Sequence, residues 1–223
     1  MTFINFILEN QSRCIELTLE HLWIVGVALG IALAIGVPAG VLITRNEAIA
    51  QRVINVANVM MTIPSIALFG LMLPLLSPFG HGMGKVPAVI ALVLYSQLPI
   101  IRNTYTAIKN VPPEIVDAGH GMGMSSWRLL KEVEVPIAIP VILAGLRTAA
   151  VMSISIAAIA AYIGAGGLGV LIRDGISQDY NDMVIAGAVL VSLLAVIVDA
   201  STAGIEWLAT PRGIRVERNR GKT

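Results

Sequence analysis

Five apolar runs, each long enough to cross a bilayer, dominate what this chain can become. A spanning helix needs about 20 mostly apolar residues. The qualifying runs are 21–44, 53–76, 86–105, 137–163 and 183–208. Of the 223 residues, 56% are hydrophobic and only 13% are charged, and the mean hydropathy is +0.82. A soluble domain of this length has too little interior to hide that much apolar surface, so lipid must be part of its solvent. The expectation is an all-α membrane protein with about five transmembrane helices. Residues 1–20 are an N-terminal lead-in of mixed character. There Phe3, Phe6 and Ile7 would form an apolar stripe lying at the interface, or the segment is a frayed polar approach. Residues 21–209 then make the transmembrane domain, and 210–223 a basic tail. No basic n-region and small-residue cleavage site precede the first run, so no cleaved signal peptide is expected. No appended soluble domain and no internal repeat are expected either.

Positive charge orients such a chain, because Lys and Arg are retained on the cytoplasmic side. With the N-terminus outside, the inside set is Arg45, Arg52, Arg102, Lys109, Arg128, Lys131, Arg212, Arg215, Arg218, Arg220 and Lys222. The outside set is only Arg13, Lys85 and Arg173, and Arg147 lies within a span. This places the charged stretch 114–136 and the C-terminus in the cytoplasm, where anionic headgroups would attract the basic tail. The other long connection, 164–182, falls outside and should hold a short helix near 168–176.

Several chemistries are excluded. Cys14 is alone, so neither an internal disulfide nor a thiolate metal cluster can form. His21, His81 and His120 lack ligand spacing, and no metal site is expected. Gly164-Ala165-Gly166-Gly167-Leu168-Gly169 fits the pattern G-x-G-x-x-G, but that pattern binds a dinucleotide only between a strand and a helix. Gly84-Lys85 resembles the end of a phosphate loop, yet Phe79 stands where the first glycine belongs and Val86 where Ser or Thr belongs. The chain therefore carries no nucleotide site and no cofactor. Ser153, Ser155 and Asp199 make no catalytic set with any histidine, so it is not read as an enzyme. Nucleic acid is not an expected partner.

Within the spans, Pro38, Pro64, Pro74, Pro99 and Pro140 each remove a backbone donor and kink a helix. Gly26/Gly30 and Gly36/Gly40 give two GxxxG spacings, read as packing positions. Arg147 lies roughly 16 Å from the cytoplasmic end of its span, and Asp199 roughly 14 Å from the same side, at 1.5 Å per residue. A charge at the bilayer centre costs about 2.5–3.5 kcal/mol on insertion scales, so neither should face lipid. Opposite signs at similar depth suggest a pair, serving as a structural clamp or with one member lining a solute path. Tyr95, Ser96, Gln97 and Asn103 form a polar patch in the third span, and Tyr95, Gln97 and Asn103 are path-lining candidates.

The stretch 114–136 is a charged, glycine-jointed island between apolar runs. Pro112-Pro113 lets a helix start. Gly119, Gly121 and Gly123 break it or permit a tight turn. Ser125 is a good N-cap for a second short helix, 126–132. Trp127 and Leu130 share a face rimmed by Arg128, Lys131 and Glu132. That face is a docking surface or an amphipathic helix resting on the membrane.

The island resembles the cytoplasmic coupling loop of ABC importer permeases. In that loop an acidic-Ala-small tripeptide, here Asp117-Ala118-Gly119, precedes a glycine, here Gly123, and then an apolar-Pro pair, here Val135-Pro136. From about residue 20 to 209 the chain is similar to permease subunits of osmoprotectant importers, the glycine betaine, carnitine and choline class. The stretches that carry this are Thr62-Ile63-Pro64-Ser65-Ile66-Ala67-Leu68, Leu98-Pro99-Ile100-Ile101-Arg102-Asn103-Thr104-Tyr105, Gly121-Met122-Gly123-Met124-Ser125, Pro140-Val141-Ile142-Leu143-Ala144-Gly145-Leu146-Arg147 and Tyr162-Ile163-Gly164-Ala165-Gly166-Gly167-Leu168-Gly169. Two departures are Asp117-Ala118-Gly119 for the general Glu-Ala-Ala and Val135 for leucine before Pro136.

The resemblance implies a type I ABC importer permease-like bundle in a bacterial inner membrane, with a coupling loop at about 107–136. ATPase coupling would fall to Asp117, Ala118, Gly119, Gly123, Ser125, Trp127 and Leu130. The implied partners are ABC ATPase subunits, an extracytoplasmic solute-binding protein and a second permease subunit. The solute would be a quaternary ammonium osmoprotectant. The alternatives are another small solute such as an amino acid, or a passive channel.

Overall fold

The computed structural model describes residues 2–210, and every regular element among them is helical. Of the expected basic tail, Arg212, Arg215, Arg218, Arg220 and Lys222 lie outside the described residues.

α5 (Lys85–Lys109) is the axis on which the other helices pack, and its composition explains why. It carries Tyr95, Ser96 and Thr104, all buried. A helix with that many polar groups is unfavourable against lipid, so neighbours cover it. α2 (Gln11–Ile43) lies on one side and α8 (Val135–Ala160) on another, with α3 (Glu47–Thr62) and α4 (Ser65–Leu76) filling the remainder. α10 (Asn181–Ala209) packs on α8, and the short α9 (Gly169–Ser177) on α10.

The contact surfaces are built from small side chains. Ala28, Ala32, Ala88, Ala91, Ala149, Ala150, Ala157 and Ala160 are all essentially inaccessible. Lipid offers no hydrophobic drive between helices, so close backbone approach and dispersion hold them. At Gly36 an added Cβ would come within 2.7 Å of Ile100, and at Gly40 within 2.6 Å of Thr104. At Gly145 it would lie 2.7 Å from both Asn103 and the Pro99 carbonyl. A Cβ added at Gly26 or Gly30 would meet nothing within 4 Å, and both lie on an exposed face of α2.

Three boundaries differ from the expected ones. α2 begins at Gln11, so residues 11–20 continue the first span, and α1 (Phe3–Glu9) folds back on α10. Phe6 is buried, edge-on to Tyr180 with ring centroids 5.6 Å apart. The second run is two helices bent by 98° at Ile63-Pro64. The residue before a proline is pushed out of the α region, and Ile63 adopts φ −71°, ψ 124°. Finally, α7 (Ser126–Leu129) does not end at 132. It runs through a π-helical turn, Leu130–Glu134, into α8. The wider turn accommodates Pro136, which lacks the N–H that a regular α-turn would use.

Candidate functional site

The elbow between α5 and α8 is held by local geometry. Pro112 is extended and Pro113 opens α6 (Pro113–Gly121). α6 closes in a Schellman motif. Gly123, at φ +79°, donates to the His120 carbonyl (2.9 Å), and Met124 donates to the Gly119 carbonyl (3.1 Å). Ser125 then caps α7, its hydroxyl accepting from the Arg128 N–H at 3.4 Å. Arg128 grips Glu132 one turn on through Nε, at 3.0 and 3.1 Å.

The two short helices close on a residue the sequence did not single out. Leu129 is 2% exposed, and its Cδ1 occupies the space where a Cβ on Gly119 would go. Asp117 and His120 line a cleft of about 620 Å³ between the elbow and the ends of α2 and α5, facing Arg45, Lys109 and Glu134. Ala118 and Asp117 are exposed. Trp127 (67% exposed), Met122 (76%) and Ile115 (41%) are exposed apolar side chains of the same elbow. The structure separates Trp127 from Leu130. Leu130 is half-buried and packs against Ala107, Ile108 and Ala138.

Arg147 and Asp199 meet. The guanidinium makes a bidentate contact, Nε to Oδ1 at 2.5 Å and Nη2 to Oδ2 at 2.6 Å, joining α8 to α10. Their side chains remain 38% and 39% exposed. They border a cavity of about 420 Å³ with Ala144, Thr148, Val151, Met152 and Glu206.

The polar patch of α5 is dispersed. Tyr95 is 4% exposed, and its hydroxyl donates to the Ile63 carbonyl at the break between α3 and α4. Gln97 donates to the Val93 carbonyl (3.1 Å) and borders an apolar cleft with Arg52, Val56 and Met60. Asn103 donates to the Pro99 carbonyl (2.7 Å) and packs against Gly145. Ser96 instead bonds Ser153 of α8 at 3.1 Å.

At the opposite end of the bundle is a second cluster missed in the sequence. Glu20 is ion-paired with Lys85 (2.7 Å) and accepts the Gly167 N–H (2.8 Å). His21, fully buried, accepts the Leu168 N–H at Nδ1 (3.2 Å), which leaves Nε2–H to donate to the Ile154 carbonyl (3.1 Å). The glycine-rich stretch 164–169 is thus a left-handed turn, with Gly164, Gly166 and Gly167 at φ +78°, +90° and +74°, clamped by two side chains of α2. Among the described residues no group of His, Cys, Asp or Glu could hold a metal ion.

Residues 26–206 match the family described as binding-protein-dependent transport system inner membrane component. The chain is 51% identical over 215 residues to an osmoprotectant import permease protein of Salmonella typhimurium, covering 96% of this chain and 100% of that one. It is 41% identical over 210 residues to a glycine betaine/carnitine/choline transport system permease protein of Bacillus subtilis, covering 94% of each. It is 39% identical over 219 residues to a carnitine transport permease protein of Listeria monocytogenes, covering 98% of each. Among solved structures, the fold is similar to a chain of the MetNI methionine ABC transporter in an inward-facing conformation. The TM-score is 0.80 at 23% identity, covering 90% of this chain and 98% of that one.

Proposed function

This chain belongs to the family of binding-protein-dependent transport system inner membrane components, and on that premise we propose that it carries a quaternary ammonium osmoprotectant inward, driven through its elbow by a separate ATPase. It is a transport subunit with no ATPase of its own. The solute class follows the sequence relatives at 39–51% identity, whose names specify osmoprotectant, glycine betaine, carnitine and choline. The likeness to the methionine transporter, at 23% identity, speaks for the fold alone.

The observation that carries the coupling role is the elbow itself. A membrane protein gains nothing in stability by projecting Ile115, Met122 and Trp127 into water beside exposed Asp117 and Ala118 unless another surface covers them. Leu129 against Gly119 and the Schellman turn at Gly123 make α6 and α7 one rigid unit. That unit continues without a loop into α8. A push on it is therefore delivered to a membrane-spanning rod instead of being absorbed by a flexible connection. An ATPase on each of two elbows, one per permease subunit, and a binding protein at the opposite end complete the proposed importer.

Gly123→Pro tests this. Proline fixes φ near −65°, incompatible with +79°, and removes the N–H that bonds His120. The expected result is loss of ATP-driven glycine betaine uptake by the reconstituted complex while the permease still inserts. Unchanged uptake would overturn the coupling role.

A further inference from the structure

A bidentate ion pair deep in two spanning helices belongs in a dry core or against water. Arg147 and Asp199 are in neither a closed core nor a lipid-compatible position: each is more than a third exposed, beside a cavity of about 420 Å³. Glu206, seven residues from Asp199 and so on the same face of α10, borders that cavity too, as does exposed Thr148 of α8. A charge facing lipid at that depth costs about 2.5–3.5 kcal/mol on insertion scales, which favours protein or water opposite the pair. The size falls within the range of about 300–1,000 Å³ typical of small-molecule sites.

Resting on the solute class argued above, we propose that this pair lines the solute route and that a zwitterionic solute passes by exchanging partners with it. A betaine carries a carboxylate and a quaternary ammonium a few bonds apart. The carboxylate takes the fork of Arg147, the geometry Asp199 already uses. The quaternary ammonium has no N–H to donate, so it is held by charge alone, against Asp199 with Glu206 nearby. Opening the pair without a replacement forfeits a bidentate, charge-assisted contact that neither water nor a single ion restores in full. A zwitterion supplies both missing charges at once, so the barrier falls for it and stays high for water and single ions. No bond is made or broken.

The test uses the full complex of permease, ATPase and binding protein in proteoliposomes. Arg147→Gln with Asp199→Asn removes both charges and leaves a neutral hydrogen-bonding amide on each of α8 and α10. Expected is a fall of at least about tenfold in maximal glycine betaine uptake, the scale of losing one hydrogen bond to a charged group, with ATP hydrolysis stimulated by loaded binding protein retained. Half-saturation, set by the binding protein, should not move. Full uptake overturns the proposal. If the amide pair fails to assemble, Thr148→Cys in a Cys14→Ser background decides. A water-soluble thiol reagent should label it, more slowly with saturating glycine betaine during turnover, and absence of labelling overturns the proposal. A wild-type complex that does not take up glycine betaine refutes the solute class, and labelling at 148 still reports separately whether the pair faces an aqueous route.

Discussion

Gly119 shows how one side chain decides whether two short helices can touch. It lies inside α6, where alanine would gain about 1 kcal/mol of helix propensity. Its Cβ would occupy the place of Leu129 Cδ1, and overpacking a buried contact costs about 1–3 kcal/mol. The steric loss should win, so Gly119→Ala is expected to lower the thermal midpoint of the detergent-purified protein. In a Leu129→Val background, which removes that methyl, the same change should raise the midpoint. A coupling of about 1 kcal/mol or more between the two sites is anticipated from direct contact. Equal effects in both backgrounds would show that Leu129 is not the obstacle. The sequence made Gly123 and Ser125 legible, since a turn glycine and a capping hydroxyl act through their own backbone, whereas Gly119, read as a helix breaker, lies within α6 and leaves room for Leu129. Leu129 was not legible. It and Leu130 are adjacent and equally apolar, and which of them turns toward α6 depends on how α7, started at the Ser125 cap, is set against α6.

At the scale of elements, five prolines lie in or near the apolar runs, and they behave differently. Pro38, Pro74, Pro99 and Pro140 sit inside continuous helices, while Pro64 follows a complete break. A bend of 98° exposes backbone carbonyls that hydrocarbon cannot satisfy. Here the Tyr95 hydroxyl, 32 residues away, donates to the Ile63 carbonyl. Tyr95, a path-lining candidate by sequence, is 4% exposed, and its hydroxyl serves the break. The spans were legible from apolar length because lipid imposes that length. The break was not, because its stability depends on a partner from another helix. Tyr95→Phe keeps the ring and deletes the donor, leaving a half-buried carbonyl without it at a cost of about 1 kcal/mol. The expected result is a lower midpoint with membrane insertion unchanged. A midpoint equal to wild type would mean that the carbonyl finds another donor.

For the whole molecule, the packing sorts charges by end. Arg45 and Lys109 border the elbow cleft, and Lys109 lies 4.0 Å from Glu47. At the opposite end Arg13 pairs with Asp174 (3.0 Å), Lys85 with Glu20, and Arg173 Nη1 donates to the Ala161 carbonyl (2.7 Å). The few cations of that end are engaged with anions or carbonyls, and at the elbow end, where Arg128, Lys131, Arg45 and Lys109 gather, Arg128 is paired with Glu132 and Lys109 with Glu47. The positive-inside rule counts Lys and Arg whether or not they are paired, and their excess at the elbow end favours the elbow inside and the clamp outside. The clamp itself escaped sequence reading because Glu20 and His21 meet residues 147 positions away, and a lone buried histidine leaves no spacing pattern to find. Two exposed histidines, His81 and His120, mark the two ends. In a Cys14→Ser background, His120→Cys should react with a membrane-impermeant thiol reagent only after the membrane is permeabilised, and His81→Cys in intact right-side-out vesicles. The reverse pattern would put the elbow on the side where no ATP is available, and the ATP-driven lever would fail even though every contact described for it remained in place.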